Sequence, residues 1–100
     1  MEKKLYVIVG LGRTGLSCVC YCLANNIPFA VTDANSHPIF AKELAEMAPD
    51  AEVAFGGLSE KLIKKASLLL VSPGVSLQEP FIKAAVEKGV PAVGDTELFV

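Results

Sequence analysis

The strongest chemical signal in the sequence is Gly10-Leu11-Gly12-Arg13-Thr14-Gly15. It follows the apolar run Leu5, Tyr6, Val7, Ile8 and Val9, and leads into a helical pattern that begins near Thr14. In a strand-to-helix turn of this kind the first glycine permits the tight turn and the second lets the backbone approach an anion. The third lets the helix lie close on the strand. The first-turn amides of the helix sit at the positive end of its dipole, where an anion gains ~0.3–1 kcal/mol beyond its hydrogen bonds. The pattern therefore points to a nucleotide diphosphate held at the amides of the first helical turn, beside Gly12 and Gly15; the alternative is a glycine turn that holds no ligand.

Two further stretches fit that chemistry. Asp33 ends a second apolar run and lies 18 residues after Gly15, where a dinucleotide-type fingerprint places a group that contacts ribose or base. Its alternative role is local, starting the Asp-Ala-Asn-Ser turn or capping the next helix. Ser72-Pro73-Gly74 follows a fourth apolar run. Ser72 can donate to a phosphate or sugar oxygen, Pro73 stiffens the loop, and Gly74 allows close backbone approach, although a plain strand-to-helix loop also favours Pro and Gly.

Other reactive residues have simpler readings. His37 is the only histidine and has no companion ligands or triad partners, so it is expected at the solvated start of a helix. Cys18, Cys20 and Cys22 all fall in one helix. Cys18 and Cys22 share a face while Cys20 points away, so the three cannot surround a metal and read as free thiols. No metal site is expected.

The elements that must position these residues follow from the apolar pattern. Strands are expected over residues 4–9, Phe29 to Thr32, Ala51 to Phe55, Ser67 to Val71 and Pro91 to Val93, and the first and fourth are solid apolar runs, as strands covered on both faces should be. Helices are expected from about Thr14 to Asn25, from Ser36-His37-Pro38 to Met47, over 60–65 behind a Ser59 cap, and from Pro80 to Lys88 with Gly89 as its stop. Asp95 can cap one more helix starting at Thr96-Glu97-Leu98. The sequence stops within that apolar segment, which reads as a cut between domains. The alternation of strand and helix predicts a Rossmann-like α/β fold: one five-stranded parallel sheet, order 3-2-1-4-5, with helices on both faces. Strands one and four then meet at the switch point where ligands bind.

Composition narrows the functional classes. One hundred residues form a single domain, residues 1–100, and 52% hydrophobic with 20% charged residues describes a compact folder. A net charge of −2 with scattered lysines gives no electrostatic case for nucleic acid. Arg13 and the glycines interrupt any secretory or lipoprotein-like leader, and Asn25, Asn26 and Pro28 make residues 14–32 a poor membrane span. A cytoplasmic location is expected.

Four stretches together carry a resemblance: Val-Ile-Val-Gly-Leu-Gly-Arg-Thr-Gly-Leu-Ser-Cys (7–18), Val-Thr-Asp (31–33), Val-Ser-Pro-Gly-Val (71–75) and Gly-Asp-Thr-Glu-Leu-Phe (94–99). In this order and spacing they resemble the N-terminal domain of the Mur ligases of peptidoglycan synthesis, nearest the branch that joins D-glutamate to UDP-N-acetylmuramoyl-L-alanine. The resemblance implies a domain that holds the uridine diphosphate end of that substrate. Arg13 and Thr14 would bind the diphosphate through their amides, Asp33 with Ala34 and Asn35 would recognise the uracil, and Ser72, Pro73 and Gly74 would line the sugar side. Family members often carry a hydroxyl residue where Ala34 stands, so only a main-chain contact is expected there.

It further implies a cytoplasmic, monomeric enzyme that uses ATP and Mg2+ to form an acyl phosphate, which the D-glutamate amine attacks. The Gly-x-x-Gly-Lys-Ser/Thr loop needed for that step is absent from residues 1–100. ATP, Mg2+ and D-glutamate are therefore expected to bind elsewhere, no catalytic residue is expected here, and the domain alone should be inactive. The alternatives are a nicotinamide- or adenine-nucleotide-sensing module of the potassium-transport type, in which Asp33 would hold adenosine ribose, and the NAD-binding domain of a dehydrogenase.

Overall fold

The computed structural model describes residues 5–72, 75 and 78–93. Its element order is β1 (Tyr6–Val9), α1 (Arg13–Ala24), β2 (Phe29–Asp33), α2 (Ala41–Met47), β3 (Glu52–Phe55), α3 (Glu60–Lys65), β4 (Leu68–Val71), α4 (Pro80–Glu87) and β5 (Ala92–Val93). The strands form one parallel sheet in the order β3-β2-β1-β4-β5, as the alternating pattern predicts.

The central strands explain the two layers of helices. Side chains alternate across a strand, so Val7 and Val9 point to one face and Ile8 to the other. In register with them, Ala30, Leu69 and Val71 join the first face, and Val31 and Leu70 the second. The first face packs against Leu62 and Ile63 of α3 and Ile82 and Ala85 of α4. The second packs against Cys18, Val19 and Cys22 of α1 and Leu44 of α2. A strand such as β1, buried on both faces, has no polar position to spare, hence its unbroken apolar sequence.

Helix ends follow local chemistry. At the end of α1 the Asn25 side chain donates to the Tyr21 carbonyl at 2.8 Å, and Asn26 takes a positive φ of 54°. Ser59 caps α3 by accepting from the Leu62 amide at 3.2 Å, as expected. A Glu79 oxygen accepts from the amides of Phe81 and Ile82, so α4 is capped by a carboxylate.

The second helix departs from expectation. Ser36-His37-Pro38 does not open it: α2 starts at Ala41, one turn later. The cause lies in the residues upstream. Asp33 Oδ1 accepts from the Asn35 amide at 2.8 Å and Asn35 Oδ1 accepts from the His37 amide at 3.0 Å, so two successive Asx turns occupy the chain that the helix would have used. Ser36 meets the His37 ring at 3.2 Å and caps nothing, and His37 is exposed ahead of the helix. Strand limits differ by a residue: β3 begins at Glu52, β4 at Leu68 and β5 at Ala92. Ser67 lies just outside β4, where its hydroxyl brackets Leu5 by accepting from the amide and donating to the carbonyl. Pro73, Gly74 and the closing 94–99 stretch lie outside the described residues.

Candidate functional site

At the carboxyl ends of β1, β2 and β4 a depression of about 460 Å³ opens. Its floor is Gly10-Leu11-Gly12-Arg13-Thr14, one wall is Asp33, Asn35, Pro38 and Ile39, and the other is Ser72 and Val75. This is the switch point, where β1 has β2 on one side and β4 on the other.

Gly10 and Gly15 do in the fold what their spacing predicts. Gly10 has φ +94°, a conformation that side chains avoid, and a Cβ there would press on Ser72. Gly15 sits under the loop: a Cβ would lie 2.2 Å from the Gly10 carbonyl oxygen, so only glycine lets α1 approach β1. Gly12 differs from both. Its backbone is extended, and among the described residues, its chain neighbours aside, a Cβ would meet no atom within 4 Å. Among the described residues no packing or backbone constraint requires glycine there, and Gly12 lines the depression.

Gly12 also occupies the N-cap position of α1. It supplies no side-chain cap, and the first turn of α1 carries no acidic residue. Arg13 begins the helix as an exposed cation, where the dipole disfavours positive charge. An anion bound at these amides would satisfy both.

Asp33 holds the loop in place. Its Oδ2 accepts from the buried Leu11 amide at 2.7 Å while Oδ1 takes the Asn35 amide. The local turn-forming role and the tie to the glycine loop are thus both present. A carboxylate has about four acceptor positions, so the two amides leave capacity for a donor from a ligand. The turn is clasped from β3: Gly56 donates to the Asn35 carbonyl at 3.1 Å and Gly57 to the Asp33 carbonyl at 3.2 Å.

Ser72 lines the depression from the end of β4. Its hydroxyl donates to the Gly10 carbonyl at 2.8 Å. That bond joins the end of β4 to the glycine turn. Ala34 is exposed on the same turn as Asp33 but does not line the depression, while Gly15 lies below it. Sequence reasoning missed Pro38 and Ile39 as walls because it placed them in the opening of α2. The signal available was the Asp33–Asn35 pair, which favours turns over helix.

Elsewhere the thiols behave as expected. Cys18 and Cys22 are buried and Cys20 is exposed. Burial, and then the nearby Cys18, push the Cys22 thiol up to about 11. Among the described residues no group of three or more His, Cys, Asp or Glu could hold a metal ion, and no helix is long and apolar enough to cross a membrane. A second hollow of about 290 Å³, between α3 and α4, shares no residue with the glycine-loop depression.

Comparison with known proteins settles the lineage. The family model for the N-terminal domain of MurD-like Mur ligases matches residues 4–94. The chain belongs to that family. Members similar to it include the UDP-N-acetylmuramoylalanine--D-glutamate ligase of Coxiella burnetii (strain RSA 331 / Henzerling II), 45% identical over 98 residues, covering 98% of this chain and 22% of that protein. The ligase of the same name from Nitrosococcus oceani is 46% identical over 93 residues, covering 93% and 20%. The MurD-like chain therefore spans about a fifth of the length of the curated relatives it matches.

Solved structures support the same fold. A pseudomurein peptide ligase type C from Methanothermus fervidus superimposes with a TM-score of 0.75 at 16% identity, covering 96% of this chain and 20% of that one. A minor L-lactate dehydrogenase from Enterococcus mundtii superimposes with a TM-score of 0.58, also at 16% identity, covering 94% and 37%. At such identities the likeness is one of fold, and it shows that a Rossmann-like sheet by itself does not choose between ligase and dehydrogenase.

Proposed function

We propose that this MurD-like domain binds the uridine diphosphate end of UDP-N-acetylmuramoyl-L-alanine for a ligase that adds D-glutamate to it in peptidoglycan synthesis. The observation that carries the reading is the glycine loop at the switch point. Its first helical turn has no side-chain cap, the space above Gly12 is open, and the Asp33 carboxylate fixes the loop from the neighbouring strand. Family membership and relatives named UDP-N-acetylmuramoylalanine--D-glutamate ligase supply the substrate class.

In this reading the amides of Arg13 and Thr14 receive the diphosphate, and Asp33 and Asn35 face the uracil, with only the main chain of Ala34 adding a contact. Ser72, Pro73 and Gly74 border the sugar. The domain performs no bond-making step. It fixes one end of a long substrate so that the distant carboxylate is held where it can be activated, an entropic contribution made by positioning. ATP and Mg2+, taken up by other parts of the ligase, supply activation of that carboxylate, and D-glutamate enters there too. The same reading makes the protein a cytoplasmic monomer.

Isothermal titration with UDP-N-acetylmuramoyl-L-alanine, UDP and NAD tests it. Saturable binding of both uridine ligands, with no heat from NAD, is the expected result. Binding of NAD alone would replace this reading with a dinucleotide sensor or dehydrogenase domain.

A further inference from the structure

Resting on the reading of the depression as a uridine diphosphate site, we propose that Ile39 determines affinity for the nucleoside, as the apolar surface against which the base packs. Ile39 is 79% exposed, the most exposed large hydrophobic side chain among the described residues, and it lines the same depression as Gly12, Thr14 and Asn35.

Its exposure is imposed by its neighbours. Pro38 is buried on one side, and on the other Phe40 packs against the cluster containing Ile8 and Leu44. The Ala41 amide donates to the Pro38 carbonyl at 3.0 Å, closing a turn that has Ile39 at its tip. Upstream, the two Asx turns tie the chain back to Asp33 and Asn35. An isoleucine side chain is also stiff at χ1, so little freedom is lost when a ligand covers it. The result is an apolar surface held beside a polar loop.

The two ends of the depression then divide recognition. The amides at Gly12–Thr14 suit any diphosphate, since backbone N–H groups carry no preference for what the phosphates are attached to. A planar base lying on Ile39 removes apolar area from water on both partners, a gain open only to ligands that carry a base. Other exposed hydrophobics stand apart: Leu23 and Met47 line a separate hollow that also includes Ile27 and Pro28.

The test is titration of the unaltered chain, Ile39→Ser and Ile39→Leu with UDP and with inorganic pyrophosphate. Ile39→Ser is expected to weaken UDP binding about fivefold, the scale of leaving about half an isoleucine side chain uncovered. Ile39→Leu should hold UDP affinity within about twofold, and pyrophosphate affinity should be the same in all three. Unchanged UDP affinity in Ile39→Ser would overturn the proposal while leaving the diphosphate site intact. Equal weakening of UDP and pyrophosphate would also overturn it, by making Ile39 a support of the loop. If the unaltered chain fails to bind UDP, the site reading falls and this inference falls with it.

Discussion

The Asp33 carboxylate accepts a hydrogen bond from the Leu11 amide at 2.7 Å, tying the end of β2 to the middle of the glycine loop on β1. Leu11 is buried, so its amide has no water to turn to. The contact makes the acidic residue part of the loop's architecture before any ligand is considered. Asp33→Ala should therefore cost about 1.5–3 kcal/mol of stability, the scale of a hydrogen bond to a charged acceptor, and should weaken uridine-nucleotide binding as well. Asp33→Asn keeps one oxygen for one of the two amides and should lose less stability. Thermal denaturation and titration of both variants check this; full stability in Asp33→Ala would show that the loop stands without its tie.

Gly12 and Gly15 should respond in opposite ways to the same change. A Cβ at Gly12 meets open space, so Gly12→Ala should fold with near-normal stability, while Gly12→Val should abolish diphosphate binding by filling that space. A Cβ at Gly15 would collide with the Gly10 carbonyl. Gly15→Ala should cost about 3 kcal/mol or more, a fall in Tm of roughly 10–20 °C. Melting curves and UDP titrations of the two variants separate the effects. Retained affinity in Gly12→Val would contradict the diphosphate site.

The thiols make a chemical prediction. Cys20 is exposed, whereas Cys22 is buried with its thiol pushed up to about 11. Alkylation of the folded protein at pH 8 should modify Cys20 and leave Cys22 intact until denaturant is added. The sign of the linked stability follows. Cys22 holds its proton more tightly when folded, so its contribution is present below pH 9.0 and is lost as the pH rises toward 11. A Cys22→Ala variant should show a shallower loss of stability across that window, measured by denaturant titration. Modification of Cys22 in the native protein at pH 8 would show that its site opens.

Much of this was legible in the sequence because the central strands leave so little choice. Val7-Ile8-Val9 and Leu69-Leu70-Val71 are apolar on both faces, which only a strand buried between two helical layers requires, and the glycine spacing fixes the turn between β1 and α1. Residues 33–40 were harder to read. Ser36-His37-Pro38 has the composition of a helix start, but Asp33 and Asn35 bend the chain through side-chain bonds to the amides two residues on, delaying α2 until Ala41. That competition between cap and turn is decided by tertiary contacts, here the clasp from Gly56 and Gly57. The bond made by the Ser72 hydroxyl was hidden for a related reason: the carbonyl it serves belongs to Gly10, 62 residues away in the chain. Local patterns show which residues meet at the switch point, and the hydrogen bonds among them remain hidden until the strands are paired.

The most direct test of the central claim is a heteronuclear NMR titration of this chain with UDP-N-acetylmuramoyl-L-alanine, with NAD in parallel. The account predicts saturable amide shifts at Gly12, Arg13 and Thr14, and at Asp33, Asn35 and Ile39, with the uridine ligand alone. Shifts with NAD alone, or uridine-induced shifts confined to residues away from the glycine loop, would contradict it.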